Sequence, residues 1–230
     1  MNPTEKVIKY TFKDKNLMRH AFTHSSYAYE QKLNSLSNNE RLEFLGDAVL
    51  QIVMSDHLYE HFPKMAEGEL TKLRASVVCE STLANAARDI GLGSCLIMGK
   101  GEERMGGRNR DSTLGDVFEA IVAAIYLDGG IDPARTFILD ALTPYVDTLS
   151  KQVAVQDYKT RLQELIQKTS KVPLKYITIN ATGPDHRKTF TVQLKHNNTI
   201  LGQGSGKSKK DAEQAAAKVA LGSMGIVTKN

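Results

Sequence analysis

The chain has 230 residues, 41% of them hydrophobic, which is enough for two modest domains or one large one and excludes a chain dominated by disorder. The net charge of +4 is unevenly distributed: residues 1–154 hold 17 Lys and Arg against 21 Asp and Glu, whereas residues 155–230 hold 13 against 5. The basic C-terminal part predicts a polyanionic partner, either a nucleic acid or, on charge alone, a membrane surface. No long apolar run or secretory signal occurs, so we expect a cytoplasmic protein that does not span a membrane.

Apolar residues recur at helical spacing from residue 1 to about 148, without convincing strand alternation. Proline and glycine residues at 62–63, 91–93, 106–107 and 129–130 separate the predicted helices of this part. The helical spacing therefore predicts an all-α domain over 1–148. A polar connector over 149–156, which follows a last helical run ending at Leu149, is the predicted domain boundary.

The pattern over 157–225 changes to helix, three strands and helix. The first helix has one apolar stripe formed by Tyr158, Leu162, Leu165 and Ile166. Residues 176–179, 190–194 and 199–202 are predicted as strands, and an Ala-rich helix spans 211–221. The predicted fold is therefore an all-α domain followed by an α+β domain of α-β-β-β-α order.

Two helices of the first domain are predicted to carry acidic residues on one face. Glu40, Glu43 and Asp47 fall within about a 60° arc of one helix. Asp116 and Glu119 are the only charged residues of a second, apolar helix, which is normally buried. Buried carboxylates cost several kcal/mol each unless they are paired or bind a metal. Without Cys or His beside them, they suit a hard divalent cation, most naturally Mg²⁺.

Spacing alone does not bring the two acidic helices together. Ala120 and Ala123 are small enough for the first helix to approach closely, but a solvated acidic face, or pairing with Arg41 or Lys72, would explain the same pattern.

The glycine- and arginine-rich segment 99–116 lacks the spacing of a P-loop, which disfavours a nucleotide cofactor. This segment is either a flexible basic loop near the acidic helix that could contact phosphates or a plain connector.

A second chemistry, a His and Ser nucleophilic pair, is suggested by His24 beside Ser25 and Ser26. Neighbouring residues rarely form such a pair, and the G-x-S-x-G context is missing, so we disfavour it.

In the basic part, three lysines stand just before the last helix. Free N–H groups at a helix N-terminus favour phosphate there, although a lysine run by itself is more often solvated surface.

The motifs ERLEFLGDAVL (40–50) and GDVFEAIVAAIYLDGG (115–130) resemble the acidic signatures of the ribonuclease III family. AFTHSSY (21–27) and EGELTKLRASVV (67–78) match further blocks of that family in the expected order. Residues 157–225 are similar to a double-stranded-RNA-binding domain at PLKY (173–176), GPDH (183–186) and GSGKSKKDAEQAAA (204–217). The resemblance covers essentially the whole chain.

This resemblance implies a homodimeric endoribonuclease that hydrolyses double-stranded RNA in RNA processing, leaving 5′-phosphate and 3′-hydroxyl ends. It implies Mg²⁺ as the cofactor, with Mn²⁺ as a substitute. The implied metal ligands are Glu43, Asp47, Asp116 and Glu119, and the implied catalytic residues are Asp47, Glu119, Glu40 and Glu67. The implied RNA contacts are Thr160, Gln163, Glu164, His186, Lys207, Lys209 and Lys210. Phe44 matches an aromatic residue inserted into the neighbouring subunit, where plain core packing is the other interpretation.

Two other classes of protein, a non-catalytic RNA-binding regulator and a small-molecule phosphohydrolase, agree less well with the sequence. A non-catalytic regulator that binds double-stranded RNA would typically lose one of the four implied ligands, and all four are present. A metal phosphohydrolase acting on small molecules would have no use for the basic C-terminal domain.

Overall fold

The computed structural model describes residues 3–34, 36–156, 158–184 and 188–225. The chain divides into two compact units, 1–150 and 151–230, and the order of helices and strands confirms the predicted fold class. The α-helices that begin in the first unit are α1 (Pro3–Ile8), α2 (Lys15–Ala21), α3 (Ser25–Glu30), α4 (Glu40–His61), α5 (Glu67–Val77), α6 (Glu80–Ile90), α7 (Lys100–Arg104), α8 (Asp111–Gly129) and α9 (Ile131–Gln156). No helix in the described ranges is long and apolar enough to cross a membrane.

The core of the first unit is built around α8. Almost every side chain from Val117 to Ile125 on this helix is buried, as expected for a helix that is apolar nearly all round. Helices α4 and α6 pack against it, each with a buried apolar face of its own. The burial of α8 confines Asp116 and Glu119, both half-buried, to the sides where neighbouring helices reach them.

The segment predicted as a connector, 149–156, is helical. The prediction ends the last helical run at Leu149, whereas α9 continues to Gln156. Polar residues such as Lys151 have good helix propensity, and neither Gly nor Pro interrupts this stretch, so its polarity alone does not end the helix.

The second unit contains α10 (Tyr158–Gln167), β1 (Lys175–Thr182), β2 (Thr189–His196), β3 (Thr199–Gly206) and α11 (Lys209–Ser223). The strands form an antiparallel sheet in the order β1-β2-β3, and each is longer than the segment predicted from the sequence. Asn197 and Asn198 make the turn between β2 and β3 with positive φ angles of 48° and 64°, a conformation that Asn tolerates well.

Three alternating glycines let α11 lie directly on β3. Gly202, Gly204 and Gly206 point to the same side of the strand, and a Cβ on any of them would stand 2.2 to 2.5 Å from an atom of α11. The facing side of α11 is equally small, with buried alanines that include Ala212 and Ala216. The glycine-rich run before the lysines is therefore a packing surface that fixes where α11 begins.

Candidate functional site

Gly46 determines how closely α4 approaches α8. A Cβ built on Gly46 would stand 1.9 Å from the backbone oxygen of Glu119, so no larger residue fits without moving a helix. Glu43 and Asp47 lie three residues before and one residue after this glycine. The close approach therefore carries both of them towards Glu119. The expected small residues Ala120 and Ala123 are indeed buried, but Gly46, inside the first motif, is the residue at the contact.

The four acids predicted as metal ligands share one electrostatic neighbourhood. Burial, together with the charges of Asp47, Glu43 and Asp116, raises the pKa of Glu119 to about 8. Burial followed by the charge of Asp116 also raises the pKa of Glu43. The pKa of Asp116 is raised in the same way, first by burial and then by neighbouring carboxylates. The structure thus brings together the two acidic faces that spacing alone left apart.

No lysine or arginine in the described ranges forms an ion pair with these four carboxylates. Gln51 donates a hydrogen bond to Asp47 with an Nε2 to Oδ1 distance of 3.3 Å. The donor set is therefore all oxygen and strongly anionic, which fits a hard divalent cation. Among the described residues, no three acid, His or Cys groups are already arranged as a formed metal site. The four carboxylates therefore fit a divalent cation by their oxygen donors and their charge, although they do not form a complete coordination shell.

Other acids surround this cluster to different degrees. Glu40, exposed at the start of α4, acts electrostatically on both Glu43 and Asp116. Glu80, the first residue of α6, is the first charge acting on Asp116 and was missed by sequence reasoning, because no spacing rule connects it to the motifs. Glu67 lies exposed at the start of α5, where its carboxylate accepts a hydrogen bond from Thr71 at 3.0 Å. It is not among the charges that act on Glu43, Asp116 or Glu119 within its own chain.

Phe44 is 83% exposed on α4, between the acids, so core packing within the chain does not explain it. On the same unit, a cavity of about 370 Å³ lies between α4 and α5. Its walls are mostly apolar, with Leu58, Met65 and Leu70 among them, and Glu67 also lines it. An exposed aromatic side chain and a mostly apolar cavity are both features that mark protein–protein contact sites.

The arginines of the 99–116 segment are largely occupied by the first unit itself. The Arg108 guanidinium donates to the carbonyl oxygens of Gly93 at 2.6 Å and Leu96 at 2.9 Å, and it pairs with Glu103. Arg110 pairs with Glu102 at 2.7 Å. These contacts favour the interpretation of this segment as a structural connector.

The second unit presents two polar surfaces at one end. On α10, Thr160, Gln163 and Glu164 are exposed, whereas the opposite face is buried. The Lys159 ammonium pairs with Glu213 of α11 at 2.6 Å, which ties the start of α10 to the first turns of α11. The exposed lysines are Lys207, Lys209 and Lys210.

The start of α11 is well defined. Ser208 caps it, because its hydroxyl accepts the N–H of Asp211 at 3.1 Å while the Asp211 carboxylate accepts the N–H of Ser208. Lys209 and Lys210 thus stand at a helix N-terminus, where the free N–H groups favour an anion. The predicted contact His186 lies outside the described residues.

Comparison with known proteins decides the family. The profile described as "Ribonuclease-III-like" matches residues 14–146, and that of the "Double-stranded RNA binding motif" matches residues 158–224. The chain belongs to the ribonuclease III family. It is 52% identical to Ribonuclease 3 of Caldanaerobacter subterraneus subsp. tengcongensis, over 97% of both chains. It is 45% identical to Ribonuclease 3 of Listeria monocytogenes serotype 4a, over 93% of both. As a member of this family the chain is a ribonuclease.

Among solved structures, the nuclease domain of ribonuclease III from Campylobacter jejuni is similar to the first unit. It is 43% identical, covers 62% of this chain and 96% of its own, and superposes with a TM-score of 0.58. In that domain, structural flexibility is described for a region involved in dimer formation. A second structure of the same domain matches at 42% identity over 63% of this chain and 97% of its own, with a TM-score of 0.57.

Proposed function

We propose that the chain is a metal-dependent endoribonuclease that hydrolyses phosphodiesters in double-stranded RNA during the processing of ribosomal precursor, messenger and other structured RNAs. The observation that carries this proposal is the cluster of four carboxylates where α4 meets α8. Burial and neighbouring carboxylates raise the pKa of Glu43, Asp116 and Glu119, and none of the four acids has a cationic partner in the described ranges. A bound cation would stabilise the ionised form of such a cluster, and residues 158–224 match a double-stranded RNA binding motif.

Glu43, Asp47, Asp116 and Glu119 would hold Mg²⁺, with Mn²⁺ as a substitute. A divalent ion held there would lower the pKa of a water molecule and neutralise charge on the phosphoryl oxygens. The chain's own contribution is the arrangement of the ligands. Gly46 sets the separation of the two helices, and the burial of α8 keeps Glu119 from relaxing into solvent. We expect 5′-phosphate and 3′-hydroxyl ends.

The test is incubation of a long, perfect RNA duplex with the full chain, with and without Mg²⁺, beside single-stranded RNA and duplex DNA. We expect cleavage of the RNA duplex alone, and only with the ion. Glu119→Gln and Asp47→Asn should each reduce cleavage at least about a hundredfold, because each removes one anionic ligand, while binding to the duplex in EDTA is unchanged. Near-native cleavage by either variant would reject the ligand assignment.

A non-catalytic regulator of double-stranded RNA is the second candidate, since it would use the same basic unit. It is disfavoured because a binding protein has no need for unpaired acids crowded at a helix contact. Binding of the duplex without cleavage at any concentration of Mg²⁺ or Mn²⁺ would support it.

We also propose that two copies associate through α4. The exposed side chain of Phe44 would enter the cavity between α4 and α5 of the other copy. The mostly apolar walls of this cavity and its volume suit an aromatic ring. Glu67 lines that same cavity. Glu67 matches an acidic position of the family's catalytic cleft but does not act on Glu43, Asp116 or Glu119 of its own chain. The dimer would account for this difference, because Glu67 would serve the other copy.

For the second unit, we propose that Gln163, Glu164 and Thr160 on α10 face one minor groove of the RNA duplex. Lys207, Lys209 and Lys210 would contact the phosphates across the adjacent major groove. A-form RNA is recognised in this way by its shape and its 2′-hydroxyl groups, with little base specificity. His186 stays a prediction from the sequence as a contact to the next minor groove.

A further inference from the structure

His24 is held rigidly beside the first acidic helix. Its backbone N–H donates to the carbonyl of Ile97 at 3.0 Å, and the N–H of Ile97 donates to Phe22 at 2.8 Å. The carbonyl of the preceding residue, Thr23, accepts the N–H of Asn39 at 2.9 Å. Because Asn39 is the cap of α4, these bonds fix His24 at the end of α4 that carries Glu40.

The hydrogen bonds around the imidazole define its tautomer. Nδ1 accepts the backbone N–H of Ser26 at 3.2 Å, which makes His24 the cap of α3. The Ser26 hydroxyl lies 2.8 Å from the same Nδ1, and its oxygen accepts the N–H of Gly99 at 2.9 Å. Since Nδ1 is an acceptor, the proton of the neutral ring is on Nε2. Burial lowers the pKa of His24, which favours this neutral form.

Within the part of the chain that the structure describes, the Nε2–H group is left as a free donor. It has no hydrogen-bond partner among the described residues, and the ring borders a surface cleft of about 490 Å³ whose walls include Ser25, Tyr29 and Glu102. The charges acting on the ring are those of Glu102, Arg110 and Glu40. Glu102 is already paired with Arg110, whereas Glu40 is exposed. The fixed donor of His24 and the exposed carboxylate of Glu40 therefore lie at the same end of α4, where Glu40 also acts on Glu43 and Asp116.

We propose that His24 and Glu40 together read a 2′-hydroxyl of the RNA strand next to the cleaved phosphodiester. The Nε2–H of His24 donates to the hydroxyl oxygen, and the hydroxyl proton is donated to the carboxylate of Glu40. A hydroxyl is both donor and acceptor and so satisfies both groups, whereas a phosphate oxygen beside Glu40 would meet a like charge. His24 is thus a positioning and specificity residue for RNA over DNA. The inference rests on the proposed cleavage site at α4 and α8.

Two variants separate the capping role of His24 from the proposed donor. In His24→Asn the side-chain oxygen can still accept the Ser26 N–H, but no donor reaches the position of Nε2. In His24→Gln the amide nitrogen can occupy the position of Nε2. His61→Asn, at the exposed end of α4, is the control. All three should fold, and their melting temperatures are measured first.

The substrate is an RNA duplex with one defined cut, prepared as a series in which single nucleotides around the cut are 2′-deoxy. For the wild type we expect kcat/KM to fall roughly five- to tenfold at one position, which corresponds to one lost hydrogen bond. His24→Asn should show that loss on the all-ribose duplex and no further loss at that position. His24→Gln and His61→Asn should follow the wild-type profile.

Binding of the same series in EDTA is measured in parallel. If the wild type fails to cleave any duplex in Mg²⁺, the proposed function fails, while the binding profile still tests His24. If the wild type cleaves normally and His24→Asn keeps the full wild-type sensitivity at every 2′-deoxy position, the reading of a 2′-hydroxyl by His24 is wrong.

Discussion

At the level of single residues, the carboxylate of Glu119 predicts how the metal-free protein responds to pH. Its pKa is about 8 in the folded chain, because of burial and three like charges, against an ordinary value of 4.5. An acid whose pKa is raised by folding costs no stability below its unfolded pKa and an increasing amount above it. In EDTA, the free energy of unfolding should therefore fall as pH rises from about 4.5 to about 8.

Glu119→Gln removes this titrating group. In urea unfolding across that pH range, the variant should lose less stability than the wild type, and added Mg²⁺ should stabilise the wild type far more than the variant. Equal pH dependence of the two proteins in EDTA would show that the carboxylate is not under strain from its neighbours.

The site was predictable residue by residue but not as an arrangement. Spacing placed Glu43 and Asp47 on one helical face and Asp116 and Glu119 on another, because helical periodicity is a local property. Their meeting depends on a tertiary contact at Gly46, and a glycine within a helical motif is equally compatible with a bend or with no special role. Glu80 had no local signal at all, since only the packing of α6 against α8 brings it to Asp116.

At the level of helices, Gly46→Ala tests whether the close contact of α4 and α8 is essential. The added Cβ would overlap the backbone of Glu119, so the helices must separate, at an expected cost of about 2 kcal/mol or more in the free energy of unfolding. Cleavage should fall with it, because two ligands move away from the other two.

Gly68→Ala is the matched control for that experiment. Gly68 is also a helical glycine, in α5, but a Cβ there meets nothing within 4 Å. Alanine should stabilise that helix by up to about 1 kcal/mol through its higher helix propensity. If Gly46→Ala unfolds at the same urea concentration as Gly68→Ala, the helix contact is not as tight as described.

The predicted elements are confirmed where the local pattern and the packing agree. The apolar stripe of α10 and the strand alternation of β2 follow directly from burial on one side. The predicted end of α9 is wrong, because a polar stretch does not break a helix when its residues favour helix. The role of Gly202 and Gly204 as a surface for α11 could not be predicted, since it depends on which helix packs there.

At the level of the whole molecule, the division of charge assigns the salt dependence of RNA binding to the second unit. Lys209→Ala/Lys210→Ala should weaken binding to duplex RNA and reduce the slope of log affinity against log salt, because fewer counterions are released. Lys151→Ala/Lys168→Ala, in which two other exposed lysines are removed, is the control. Identical slopes for both double variants would contradict a phosphate site at the start of α11.

The proposed dimer makes activity depend on protein concentration. Phe44 is exposed in the single chain, so Phe44→Ala should leave the thermal stability of the monomer unchanged while it removes an aromatic anchor from the interface. We expect the dissociation constant of the dimer, measured by analytical ultracentrifugation, to rise about tenfold or more. Met105→Ala, which removes another exposed side chain (76%), should leave it unchanged. Cleavage by Phe44→Ala should recover at high protein concentration, because the carboxylates themselves are intact. Equal dissociation constants for the two variants would exclude Phe44 from the interface.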